Sequence, residues 1–133
     1  MDLYKILVEA HSGMRWLVLL MFIVTMVKLL VTWLGKKEFG KGDNALLRAT
    51  IGFIDIQLLL GLSLLLYFIL NAGGLASYHY EHAGINAIAI IFAHIAGKGK
   101  DKPGPIRARN AFIFLFVSAA LVGLAISRLP QGW

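Results

Sequence analysis

The sequence predicts an all-α integral membrane fold: a four-helix up-down-up-down bundle in one domain spanning residues 1–133. Three observations predict it. Of the 133 residues, 59% are hydrophobic and only 15% charged. Apolar runs of about 18 residues or more recur, long enough to cross the hydrocarbon of a bilayer. Between them stand joints rich in glycine, proline and charge: "GKKEFGKGDN", "NAGGLAS" and "GKGKDKPGP". Joints this short favour antiparallel neighbours, which sets the first and third spans diagonally across the bundle.

The first span is expected at Leu3 to Leu34, with its apolar core after His11. It is too long for the apolar region of a secretory signal, and no A-x-A-like site follows, so a retained span is expected. The second span is expected at Asn44 to Leu70, capped by Asp43 or Asn44. The third runs from Ser77, as its cap, to Gly97, and the fourth from Arg107 to Leu129. Two stripes of small residues at four-residue spacing, Ala89/Ala93/Gly97 and Ala119/Gly123/Ser127, predict close helix packing.

Loop charge sets the expected orientation. Lys36, Lys37 and Lys41 lie in the first joint, and Lys98, Lys100 and Lys102 in the third. The second joint, "NAGGLASYHYEH", has neither Lys nor Arg. The positive-inside rule places the basic joints in the cytoplasm and both termini outside. This accounts for most of the net charge of +6, so the charge does not call for a nucleic acid partner. With no cysteine, disulfides and thiolate metal sites are excluded. No catalytic triad, phosphate loop or two-carboxylate acid–base pair is recognisable, and the sequence leaves enzymatic activity undecided.

Ionisable side chains in spans are expensive and mark function by default. One layer sits near the termini: His11 and Arg15 on the first span, His79, Glu81 and His82 on the third, Arg128 on the fourth. His11 and Arg15, four apart, share a helix face. His11 and His82 lie at similar depth on diagonal helices. Two imidazoles facing each other would serve as axial ligands of one haem b iron, making His11 and His82 the metal ligands. Arg15 and Arg128 would pair with propionates, Asn86 would orient a ring or a propionate, and Glu9 and Glu81 would back the imidazoles from neighbouring helices. The competing reading is interfacial. Trp16, Tyr78, Tyr80, His79 and Arg15 all suit a headgroup boundary. A second haem is not expected. His82 and His94 are twelve apart, about 120° off one face, and the first span has no second histidine.

A second layer holds Lys28, Asp55, Gln57 and His94. A Lys28–Asp55 pair is expected, as each charge lowers the cost of the other. A proton or quinone site is the alternative. Asp55 and Gln57, two apart, cannot share a face.

The segments "AHSGMRWLVLL", "DIQLLLGL", "YEHAGINAIAIIFAHIAGK" and "ARNAFIFLFVSAALVGLAI" resemble a group of small bacterial four-span membrane proteins often labelled cytochrome b-like. The resemblance covers nearly the whole chain. It implies characteristic positions at His11, Arg15, Trp16, Asp55, Gln57, Glu81, His82 and His94, and a place in a bacterial plasma membrane. Two functions follow as expectations. One is a haem-binding electron-transfer subunit of a respiratory or photosynthetic complex, with quinone and other membrane subunits as partners. The other is an accessory subunit without catalytic activity that grips lipid, pigment or neighbouring helices. A small transporter centred on Asp55 and Lys28 is disfavoured, because four spans leave little room for an alternating-access cavity.

Overall fold

The computed structural model describes residues 2–133. Four helices make up the bundle: α1 (Leu3–Leu34), α2 (Lys41–Asn71), α3 (Ser77–Ala96) and α4 (Gly104–Ser127), with no strand among the described residues. α1, α2 and α4 are long and apolar enough to cross a membrane. At ~1.5 Å per residue, α3, with its 20 residues, matches the ~30 Å of a hydrocarbon core, but its polar first turns lower its apolar content.

Side-chain contacts set the directions. Tyr4 stacks on Tyr67, and Thr32 bonds Asp43, so α1 and α2 run antiparallel. His82 meets Ala125, and Ser118 meets Ala89, so α3 and α4 do the same. Trp33 packs on Phe112 where α1 ends and α4 begins. The helices form the expected ring, each touching two neighbours. The α2–α3 seam is the most sparingly packed of the four. The end carrying the basic joints is called the basic end below, and the other the terminal end.

Burial is uneven along the bundle. Phe22, Thr25, Leu29 and Thr32 of α1 pack with Leu47, Thr50 and Ile54 of α2, and with Ala93, Ala96, Ala108, Ala111 and Leu115 of α3 and α4. This core fills the half nearer the basic end. Polar groups inside it are satisfied. The Thr25 and Thr50 hydroxyls lie 2.7 Å apart, so one donates to the other, and the second donates to the Leu46 carbonyl, which lies 2.8 Å from Thr50 Oγ1 and 3.2 Å from Thr25 Oγ1. Ser118 donates to the Ala89 carbonyl at 2.7 Å, consistent with small hydroxyl residues tying helices together in lipid. Toward the terminal end, α2 buries no residue after Ile54, and α1 none before Val18.

Three local expectations are corrected. α2 starts at Lys41 with Gly40 as its cap. Asp43 is not the cap but the third helical residue, and its Oδ2 accepts the Gly40 N–H at 2.9 Å. This is the reaching-back half of a capping box, and it lets the helix begin a turn earlier. Ser77 is the first helical residue rather than the cap. Ala76 takes that place, and His79 Nδ1 accepts its N–H at 3.0 Å. The buried residues of α4 are Gly104, Ala108, Ala111, Leu115, Ser118, Ala125 and Ile126; of the expected Ala119/Gly123/Ser127 stripe, Ala119 packs against the core and Ser127 is exposed. Gly123 is covered by Trp133 of the C-terminal segment, whose ring would lie 3.7 Å from an added Cβ. On α3, Ala89 and Ala93 are fully buried, as their spacing predicts.

Candidate functional site

The half of the bundle that lacks an apolar core holds the polar cluster. His11 projects from α1 and His82 from α3, with ring centroids 6.3 Å apart and planes at 73°. The two diagonal histidines therefore face each other at one depth. Gly61 of α2 makes this possible, because a Cβ there would sit 3.2 Å from His11 Cε1.

Hydrogen bonds assign the tautomers. His82 Nδ1 lies 2.8 Å from the Ala125 carbonyl. A carbonyl only accepts, so Nδ1 carries a proton, and in a neutral ring Nε2 is bare. Asn86 Nδ2 donates to that Nε2 at 3.2 Å and to the His82 carbonyl at 3.0 Å. Across the bundle, Gln57 Nε2 donates to the His11 carbonyl at 3.0 Å, which fixes the amide orientation. Its second hydrogen faces His11 Nε2 at 3.4 Å, a long contact that makes Nε2 the acceptor. Both rings thus present a bare Nε2, each touched by a carboxamide.

Three atoms in this region are buried with no hydrogen-bond partner: His11 Nδ1, Arg15 Nε and Gln57 Oε1. Buried polar groups are normally paired. Three orphans on residues one turn apart on α1 and on the facing α2 mark a place built for a ligand or for water. The Arg15 guanidinium also lies 5.1 Å from the exposed Trp16 ring.

The donor set bears on which group fits. No cluster of three or more His, Cys, Asp or Glu able to hold a metal ion occurs among the described residues. Two imidazoles are too few for a bare ion, which takes four or more ligands, but they match an iron whose other positions a macrocycle fills. A metal–imidazole bond is about 2 Å and a ring centre lies about 1 Å behind its nitrogen, so two rings on one ion stand roughly 6 Å apart. The observed separation agrees. The buried, unpaired Arg15 Nε also fits an anionic group. Comparison with protein-family models, curated proteins and solved structures finds no match for the chain.

Other expected members of this layer are engaged elsewhere. Arg128 donates from Nε to Glu81 Oε2 at 2.6 Å, and this bond raises the guanidinium pKa above its ordinary value. Arg128 is thus paired with Glu81 through Nε, and Glu81 does not back an imidazole. Glu81 sits at the start of α3, beside the end of α4, within reach of the guanidinium. Glu9 is an exposed partner of Lys5, one turn away, at 3.8 Å. It is one to two residues from the His11 face and cannot reach its ring. The ring of His79 packs against Phe68.

The second layer divides into separate pairs. Lys28 does not meet Asp55. Its Nζ lies 3.7 Å from Asp43 Oδ2, near the basic end. Asp55 instead accepts the His94 Nε2–H at 2.8 Å across the α2–α3 seam, where both side chains are about half exposed. Gln57, on another face of α2, belongs to the His11 cluster. The expected pairing failed because the two charges lie at different depths: Lys28 stands level with the first turns of α2, where Thr32 meets Asp43 and Thr25 meets Thr50, and Asp55 lies further toward the terminal end. The Ala125 carbonyl and the Gly61 gap were missed. A backbone acceptor leaves no mark in sequence, whereas Gly61 in "LLLGLSLLL" was a readable signal of close approach.

Proposed function

We propose that the chain is a cytochrome b-like membrane subunit that holds one haem b between His11 and His82 and passes electrons within a respiratory or photosynthetic complex. The observation that carries this reading is the approach of two imidazoles, each with a bare Nε2, to 6.3 Å between ring centroids in the half of the bundle where α1 and α2 bury no residue. When bound, the haem supplies reversible one-electron transfer. The protein's own residues set the conditions. The Ala125 carbonyl holds the His82 tautomer and raises the ring's basicity as a ligand. Gln57 and Asn86 give up their contacts to the two Nε2 atoms and keep those to the His11 and His82 carbonyls. Arg15 offers its unpaired guanidinium to a carboxylate. The placement proposed is a bacterial plasma membrane, with both termini outside and the basic joints cytoplasmic, on the strength of the lysine distribution.

The test is a reduced-minus-oxidised spectrum of the protein purified from cells supplied with haem precursor. A six-coordinate low-spin spectrum is expected, abolished by His11→Ala or His82→Ala. Arg15→Leu is expected to keep the spectrum and shift the midpoint potential, because it removes a charge and no ligand. Absence of a Soret band in folded protein defeats the proposal. The accessory-subunit reading, with lipid and neighbouring subunits as partners, then takes its place.

A further inference from the structure

The sparse α2–α3 seam opens at the basic end into a cavity of about 400 Å³, lined in part by Arg48, Gly52, Asp55, His94, Lys98 and Lys100. Three cations converge on it from two elements: Arg48 from α2, Lys98 and Lys100 from the joint after α3. Among the described residues none of the three is in an ion pair. The carboxylate in the wall, Asp55, is already taken by His94. Elsewhere Lys28, Lys5 and Arg128 each have a carboxylate partner. This cavity is therefore a basic recess with uncompensated charge.

Its floor and surroundings are apolar. Leu47 and Ile51 line it. From Asp55 the same face of α2 continues through exposed Leu59 and Leu62, and from His94 α3 continues through exposed Ile91. Gly52 keeps the space open, with nothing within 4 Å of an added Cβ. A site with cations at its mouth and an apolar track leading along the helices has the layout of a two-part molecule with an anionic head and hydrocarbon tails.

We propose that this recess binds the phosphate headgroup of an anionic phospholipid, held by Arg48, Lys98 and Lys100, with its acyl chains along the exposed α2 and α3 surface. Basic pockets between spans are suited to such headgroups. The apolar track favours a lipid over free phosphate, and the three unpaired cations favour an anionic over a zwitterionic head. Asp55 lies in the same wall, bonded to His94, and the three cations outnumber its single negative charge.

The experiment is a thermal-shift titration of the full chain in non-ionic detergent with phosphatidylglycerol, with phosphatidylcholine of the same acyl chains, and with inorganic phosphate. Phosphatidylglycerol is expected to raise the melting temperature saturably, and the other two to leave it unchanged. Each cation removed should weaken the apparent affinity about fivefold, so the double variant Arg48→Gln/Lys98→Gln should lose about 25-fold. Gly52→Leu should weaken it with every charge retained, by filling the recess. Lys36→Gln/Lys37→Gln, at the same end but outside the cavity, should bind as the parent does. Equal responses to both lipids would overturn the site, as would unchanged affinity in the double variant or an equal loss in the Lys36/Lys37 control. A full shift with inorganic phosphate alone would overturn the lipid assignment.

Discussion

Asp43→Ala should be among the most damaging single substitutions in the bundle, and its cost can be divided by partner. Asp43 is 2% exposed. It accepts the Thr32 hydroxyl at 2.5 Å and the Gly40 N–H at 2.9 Å, with Lys28 Nζ at 3.7 Å. The Lys28 side chain is 40% exposed, so after solvent screening that pair is worth at most ~1 kcal/mol. Thr32 is wholly buried, and a buried hydrogen bond to a charged group contributes ~1.5–3 kcal/mol. Loss of the capping contact to Gly40 adds about 1 kcal/mol. The total is roughly 3–5 kcal/mol, in the range for breaking a buried charged cluster. Equilibrium unfolding in mixed dodecyl sulfate micelles, followed by tryptophan fluorescence, would measure it. Double-mutant cycles apportion it. Thr32→Val with Asp43→Ala should couple by ~1.5–3 kcal/mol, and Lys28→Met with Asp43→Ala by under ~1 kcal/mol. Stronger coupling to Lys28 than to Thr32, or a total below about 1 kcal/mol, would refute this reasoning.

Glycine substitutions should separate by environment in the same assay. A Cβ on Gly104 would stand 2.7 Å from Phe39 N and 2.9 Å from Glu38 Cα, both backbone. Gly104→Ala should therefore cost ~1–3 kcal/mol. Gly13 has nothing within 4 Å, and Gly13→Ala should stabilise by about 0.5–1 kcal/mol through helix propensity. Gln57→Leu removes the donor to the His11 carbonyl and ring. It should cost about 1 kcal/mol and weaken the hydrogen-exchange protection of the Arg15 amide, whose helical acceptor is the His11 carbonyl, whereas an unaffected helix turn would deny Gln57 a positioning role. For topology, a cysteine at Ser77 should react with an impermeant thiol reagent in intact cells and one at Lys37 only after lysis. The opposite pattern would invert the assignment.

The partners of the charged residues show where sequence reasoning reached its limit. Lys28 and Asp55 lie in adjacent spans and were paired because each charge lowers the cost of the other. Lys28 found the carboxylate at the start of α2, and Asp55 the histidine on α3. Both outcomes obey the expected rule that charges within spans pair. The identity of each partner depends on the register and rotation of neighbouring helices, which follow from how side chains interlock around the bundle. The same holds for Arg128. Its pairing with Glu81 reflects the close passage of the start of α3 and the end of α4, held by the His82–Ala125 contact.

The sequence by itself determined the number of helices, their boundaries to within a few residues, the ring order of the bundle and the segregation of basic joints to one end. These properties rest on local hydropathy, on turn chemistry and on joints too short to allow other neighbours. It also placed His11 and His82 at one depth, because depth is counted along a helix of fixed rise. Only the tertiary structure decided that the two rings face each other, that Gln57 serves His11, and that the terminal half of the bundle lacks an apolar core. Facing, partner choice and burial depend on the relative rotation and spacing of helices. Packing sets those quantities over the whole bundle, and no single segment encodes them.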